Sequence, residues 1–523
     1  VAEEKSFQGG MVMKKAYSAL IVLLLVLTGC STNPVTGKSE ISLISTQQEI
    51  AIGEKNYAPS QQAQGGEYYV DRNLQTYVDS VGNKLAAVSD RQLPYEFVVL
   101  NNSVPNAWAM PGGKIAVNRG LLVHLEDEAQ LAAVLGHEIV HAAARHSAKQ
   151  MTRGTLIGVG GQILGIVAGQ KGYGQIASPL IQMGSAAWMS RYGRSAELES
   201  DNYGMEYMAK AGYDPQGAVE LQRTFVKLSE GRKSDFFANL FASHPPSEDR
   251  VAANIEKAKT LGPGNNFRAN YQKAIAQLIK DQPAYEAQDE AIKALNNKDP
   301  VAALKQIDSA IKIQPQEGYF WELRGHALAM QDKKRKAERA FSTAIERNDS
   351  FFSHYLARGM LRYDRGNKIG AKTDLERSHG LLPTQQSSFA LGEIAQESGQ
   401  QSKALEYYQA AAGSGGDLGK TAQTRVIDIE LPTAPAKYIP SQLFVSKKGY
   451  LQIALKNNTH LTVTNIRIEI TEVLEGNRAG RQAILSGPRS LGAGEQASVP
   501  TRIAINESSP RYQVRVVSAK PIR

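Results

Sequence analysis

From about residue 284 the sequence repeats with a period near 34, and no other feature restricts the fold so tightly. Alanines recur at Ala303, Ala337, Ala371 and Ala404, in steps of 34, 34 and 33. Four residues beyond each stands a bulkier side chain (Ile307, Phe341, Leu375, Tyr408), and three further on a small one (Ala310, Ala344, Ser378, Ala411). Gly325, Gly359 and Gly392 keep the same period, Trp321 and Tyr355 precede the first two by four, and Ala291 stands where an earlier glycine would be. Pro315 and Pro383 end two of the units. Small residues where two helices cross, with a bulky one beside them, predict a solenoid of helix pairs over residues 284–416. Such an array presents a concave surface to peptides or protein segments.

The spacing is that of tetratricopeptide repeats. The chain has 523 residues, more than one core serves, so further domains are expected on both sides. With 42% hydrophobic and 21% charged residues it is neither mainly disordered, nor collagen-like, nor a multi-spanning membrane protein. Beyond the repeats the apolar period drops to 2: Tyr450 to Leu455, Leu461 to Ile470, Ala497 to Ile505 and Tyr512 to Val517 alternate between turn-forming clusters. Residues 421–523 are therefore expected to form an all-β sandwich. That stretch holds 14 Lys/Arg and 7 Asp/Glu, so most of the net charge of +9 lies there. The excess suits a solvated face first, and otherwise an anionic membrane surface or an acidic partner; no nucleic-acid partner is expected.

The N-terminus carries an address. Met13-Lys14-Lys15 precedes an apolar run, Ala19 to Leu27, and then Leu27-Thr28-Gly29-Cys30. This predicts a signal peptide over residues 1–29, with residues 1–10 as extra sequence before the start methionines. Cys30 is the single cysteine, so no intrachain disulfide can form. The Leu-Thr-Gly-Cys box resembles the bacterial lipoprotein box, which implies lipidation of Cys30. Ser31, where enteric bacteria place Asp for inner-membrane retention, points by analogy to the outer membrane, facing the periplasm. Residues 30–45 are expected to be a polar, lipidated tether.

The chemistry lies in His137-Glu138-Ile139-Val140-His141, within a predicted helix from Glu126 to Met151. Two histidines four apart share a helical face and can converge on one Zn²⁺ per chain. Glu138 lies to the side, near enough to take a proton from an attacking water. A catalytic zinc needs a third protein ligand. His146, nine residues after His137, falls on the opposite face at roughly 100° per residue, which makes it a structural or supporting residue. Ala144 and Ser147 stand where another zincin pattern has Gly and His. Glu197 is the better ligand, with Asp201 four residues on to hold a ligand imidazole in its tautomer and Glu199 in reserve. Gly154 to Gly169, uncharged and glycine-rich, is expected to pack as a movable helix over the site.

These motifs resemble the HtpX-like and CAAX-prenyl-protease-like zinc endopeptidases of the gluzincin clan, over about residues 44–260. The matching segments are Asn106-Ala107-Trp108-Ala109-Met110-Pro111-Gly112-Gly113, the His-Glu-x-x-His with Arg145-His146, the Glu-x-x-x-Asp of Glu197 and Asp201, and His244-Pro245 with Arg250. The resemblance implies an α+β zincin-type domain over residues 46–262, Zn²⁺ on His137, His141 and Glu197, and Glu138 as general base. It also implies a substrate-binding edge strand of Gly113, Lys114, Ile115, Ala116, Val117 and Asn118, on which an extended substrate pairs. His244, on a loop stiffened by Pro245 and Pro246, is either an oxyanion donor or a plug on the zinc's open position, with the plug favoured; a purely local role is the third option. The expected protein is a multidomain, lipid-anchored periplasmic zinc endopeptidase. It would cleave misfolded or stalled envelope proteins, with the repeats reaching them or the outer-membrane assembly machinery. The rival is a chaperone or scaffold with a mostly silent zinc site.

Overall fold

The computed structural model describes residues 30–153, 192–230, 238–506 and 509–522. The expected signal peptide and the segment Gly154 to Gly169 lie outside these residues. The chain divides into two units, 1–354 and 355–523. No described helix is long and apolar enough to cross a membrane.

The first unit opens with a hairpin where a tether was expected: β1 (Cys30–Thr32) pairs antiparallel with β2 (Ser39–Ile41). Between the strands Asn33 is buried, and its carboxamide oxygen accepts from Val35 N at 2.9 Å to shape the turn. Ser45 then opens α1 (Thr46–Ala63) with a capping box to Gln48, and Asp71 caps α2 (Arg72–Ala86). Three strands follow: β3 (Glu96–Leu100), β4 (Ala107–Met110) and β5 (Lys114–Asn118). Gly112 (φ 79°) and Gly113 (φ 84°) supply the left-handed turn between β4 and β5.

The sheet order is β3-β5-β4, which corrects the expected substrate strand. Residues 114–118 form the central strand, parallel to β3 on one side and antiparallel to β4 on the other. Both its edges are taken, so Gly113 to Asn118 cannot accept an added strand. The outer strand on this side is β4. Asn118 N donates to Asn106 O at 2.9 Å, and this register turns the backbone groups of Ala107 and Ala109 away from β5.

Behind the sheet lies α3 (Glu128–Ala143), capped by Asp127 and buried along its whole length. The predicted helix to Met151 is interrupted: α3 ends at Ala143, Arg145 takes φ 62°, and residues 146–153 are helical again. The break is held by charge. Arg145 Nε donates to Glu49 Oε1 at 2.5 Å, and the same guanidinium reaches Ser31, Ser42 and the Ile44 carbonyl. Arg91 occupies the other oxygen of Glu49 at 2.8 Å. Then come α4 (Arg194–Lys210), α5 (Gln216–Glu230), α6 (Ala238–Ser243) and α7 (Glu248–Leu261).

No linker separates this domain from the repeats. Residues after 262 continue as α8 (Arg268–Ala274) and α9 (Ala276–Asn296), and one apolar core runs from Leu74 and Leu135 through Tyr271 and Tyr285 to Phe320. Arg119, 1% exposed, lies 3.3 Å over the Tyr285 ring while donating to Asn101 Oδ1 at 2.7 Å and Ser103 Oγ at 3.0 Å. Asn101 donates to Glu317 at 2.9 Å, and Tyr69 OH donates to Gln316 O at 2.8 Å.

The repeat pattern has its expected cause. Gly325 lies under the Phe341 ring in the first unit; in the second, Gly359 lies under Leu375 and Gly392 under Tyr408. A Cβ at any of these glycines would collide with the bulky residue of the paired helix. The second unit also carries two antiparallel sheets. One is β6 (Ser441–Val445), β7 (Tyr450–Lys456) and β11 (Gln496–Ala504). The other is β8 (Val463–Leu474), β9 (Arg478–Ser486), β10 (Ser490–Leu491) and β12 (Arg511–Pro521). Ile453, Leu455, Ile466, Ile468 and Val516 share one core, as a sandwich requires. The expected start at residue 421 is too early: helix Gly416–Glu430 covers it and sends Ile427 into that core.

The shared core makes a direct prediction. Tyr285→Ala, a change in the repeat segment, should destabilise the whole first unit by about 3–5 kcal/mol, the usual cost of deleting a buried aromatic. Denaturant unfolding should show one transition for residues 1–354; separate transitions for residues 46–262 and for the first repeats would contradict the shared core.

Candidate metal centre and its relatives

The site begins where two helices touch. On α4, Glu197, Ser200, Asp201, Gly204, Met205 and Met208 form the buried face. Gly204 meets Gly136 of α3: a Cβ on Gly204 would sit 3.1 Å from Gly136 C and His137 N. With no side chain on either, the helices approach closely, and Asp201 and Glu197, one and two turns earlier on α4, reach the histidines.

Four side chains converge, all buried: His137, His141, Glu197 and His244, with one potential ligand atom from each lying within 4.8 Å of the others. The Nε2 atoms of His137 and His141 are 3.0 Å apart. Glu197 places Oε2 3.5 Å from His137 Nε2 and Oε1 3.4 Å from His141 Nε2. His244 Nδ1 lies 3.3 Å from both His137 Nε2 and Glu197 Oε1. Its Nε2 is 3.5 Å from Glu138 Oε1, while Glu138 Oε2 is buried with no hydrogen-bond partner.

Outer partners fix both tautomers. Asp201 Oδ1 accepts from His137 Nδ1 at 2.9 Å, leaving Nε2 as the lone pair. Arg250 Nε and Nη2 donate to Asp201 at 2.6 and 2.8 Å, and Nη1 pairs with Glu197 at 3.0 Å. His141 is served by a relay. Glu199 Oε1 accepts from His146 Nε2 at 3.2 Å, so His146 Nδ1 accepts from His141 Nδ1 at 2.8 Å, and His141 Nε2 faces the cluster as a lone pair. Asn33 of the N-terminal hairpin donates to the same Glu199 oxygen at 3.1 Å. The Tyr192 ring stacks on His141 at 3.9 Å between centroids.

The electrostatics call for a cation. Burial opposes charge on His137, but Glu197 and Asp201 outweigh it and lift its pKa to about 10. Burial also pushes the Glu197 carboxyl up, yet His244 and His137 beside it drive it far below the carboxylate range. Asp201 stays low against burial because of Arg250. Burial holds His141 well below the usual imidazole value and raises Glu138. Imidazole nitrogens and a carboxylate around one point, each oriented from behind, fit a divalent metal of the zinc class.

The comparisons with known proteins agree with this geometry. Residues 72–258 match Peptidase family M48. Over this span the chain is similar to the M48 metallopeptidases. Over 242 residues the chain is 29% identical to the beta-barrel assembly-enhancing protease of Escherichia coli, covering 44% of this chain and 48% of that one. Over 295 residues it is 30% identical to a Vibrio cholerae protein given that name provisionally, covering 54% and 57%. It is 31% identical over 159 residues to the metalloprotease YcaL of Escherichia coli, covering 30% and 60%. The chain thus spans about half the length of the first two relatives.

The structure brings His137, Glu138, His141, Glu197, Asp201 and His244 together. It leaves Lys114 to Val117 in the sheet interior. Sequence reasoning placed His146 on the wrong face, since the helix ends before it. It gave Arg250 no role, although Arg250 holds both acidic groups. Gly204→Ala should wedge α4 away from α3 and lower metal affinity by on the order of 10- to 100-fold, the range seen when outer-shell support is lost. Competition with a chromophoric chelator measures it; unchanged affinity in a folded variant would show that the close crossing is not what sets the ligands.

Proposed function

We propose that this chain is a lipid-anchored periplasmic zinc endopeptidase that cleaves misfolded or stalled envelope proteins. The carrying observation is the buried cluster of His137, His141, Glu197 and His244 with Glu138 beside it. The similarity to beta-barrel assembly-enhancing proteases supports the envelope setting. His137, His141 and Glu197 would hold the zinc, which when bound polarises the scissile carbonyl and makes water a competent nucleophile at neutral pH. Glu138 takes the proton from the attacking water and returns it to the leaving amine. The outward backbone groups of Ala107 and Ala109 pair with an extended substrate as an added strand, which lays its carbonyls along the cluster. A folded client has few unpaired strands to offer, so this mode favours unfolded segments. The repeats are proposed to engage those clients or the assembly machinery.

His244 is proposed as the plug. Its Nδ1 lies 3.3 Å from both His137 Nε2 and Glu197 Oε1, close enough that it would join the other three as a ligand to a bound metal and block the site until a substrate displaces it. The scaffold reading, with a silent site, finds no support in an intact base and two complete outer relays. Glu138→Gln should keep metal content and lower peptide cleavage by roughly 10²–10⁴-fold. In the same assay His244→Ala should raise basal proteolysis; a fall would make His244 an oxyanion donor, and no change would leave it a local role. Near-normal turnover in metal-loaded Glu138→Gln protein would refute the peptidase assignment.

The anchor is tested separately. Cys30→Ser should leave the membrane fraction with its metal retained, because lipid on Cys30 is the proposed attachment. Membrane association that survives alkali and high salt in that variant would overturn it.

A further inference from the structure

Beside the cluster lies a cavity of about 40 Å³, room for roughly three water molecules. Its walls are apolar, with Val134, Met208, Phe225 and Leu240 among them. Its floor is not. Among the described residues nine buried side-chain polar atoms have no hydrogen-bond partner, and four of them line this one cavity: Glu138 Oε2, Ser200 Oγ, Gln222 Oε1 and Asn254 Nδ2. Glu138 has its place in the chemistry. The other three come from three helices, α4, α5 and α7, and are 0%, 6% and 2% exposed.

A packed core does not keep such groups without cause. Each buried polar atom left unpaired opposes folding, and an aliphatic residue at any of the three positions would fill space without that cost. Three together, facing one space next to the general base, have the form of a binding pocket built at the expense of stability.

The chemistry of the floor narrows the occupant. Gln222 presents an acceptor, Asn254 a donor, and Ser200 a hydroxyl that does either. A carboxylate would face the Gln222 oxygen and the Glu138 carboxylate. An ammonium would meet Asn254 Nδ2 and the Arg250 guanidinium, which also borders the cavity. An aliphatic tip would leave the floor unpaired. A carboxamide on a short methylene stem both donates and accepts, and its stem suits the apolar walls. We propose that this cavity is the side-chain pocket adjoining the scissile bond and that it selects glutamine or asparagine in the substrate. Water fills it at rest and is displaced by the carboxamide. Ser200, Gln222 and Asn254 determine specificity. The proposal rests on the peptidase reading above.

The experiment profiles metal-loaded full-length protein on a peptide library in which each position near the cleaved bond is varied. At one position the wild type should prefer Gln over norleucine by about 10²-fold or more in kcat/KM, as sites that pair a polar group do. Q222L/N254L should reverse that preference while cleaving the norleucine peptide at least as well as wild type. Ser200→Ala, which removes one oxygen, should lower the ratio without affecting folding. Butyramide binding, followed by ligand-observed NMR, supplies a readout independent of turnover: it should be present in wild type and lost in Q222L/N254L. No cleavage of any peptide, with butyramide binding lost in the variant, would refute the peptidase reading and leave the pocket standing. Equal profiles and equal butyramide binding in wild type and variant would reduce the cavity to a water site and overturn the proposal.

Discussion

The contact between Gly136 and Gly204 carries the rest of the site. Two helices bearing ordinary side chains pack 8–10 Å apart. With hydrogens alone at the crossing they come closer, and the carboxylates of α4 then arrive at hydrogen-bonding distance from the histidines of α3. Every other device depends on that approach. Arg250 can neutralise Asp201 and Glu197 together only because both lie in one plane of contact, and His244 can enter only where the two helices have left their ligands.

The orientation of the histidines comes from outside the pair of helices, and from two directions. His137 is fixed by an acid–guanidinium pair reached through Asp201. His141 is fixed by a neutral relay through His146, made possible because Arg145 breaks the helix and turns the chain back. The left-handed backbone at Arg145 is unfavourable for a residue with a Cβ, and its contacts to Glu49, Ser31, Ser42 and Ile44 hold it there. A local strain in the backbone thus serves to place one proton.

Much of this was readable from spacing. His137 with His141 and Glu197 with Asp201 obey helical geometry, so i and i+4 found both pairs. The repeats announced themselves because Gly325 and Phe341 are one contact written at two fixed offsets. What spacing could not supply was tertiary. Residues 114–118 read as the sheet edge, yet strand order depends on which neighbour closes each side, and β4 takes the side left free by β3. His146 was placed by continuing a helix that a buried glutamate, 96 residues upstream of Arg145, brings to an end. The join between residues 46–262 and the repeats reads as a domain boundary where the 34-residue period begins, whereas Arg119 and Tyr285 make it part of one core.

The hairpin at residues 30–41 has a mechanical consequence. Fifteen residues of free chain after Cys30 would give a reach of about 50 Å at 3.3–3.6 Å per residue. Here β1 begins at Cys30 itself, and Ser31 and Asn33 are bonded to Arg145 and Glu199 behind the metal ligands. With lipid on Cys30, as proposed, the slack is gone. The metal cluster would ride at a fixed height above the bilayer, and a client would have to come to that height before a peptide bond lay within range.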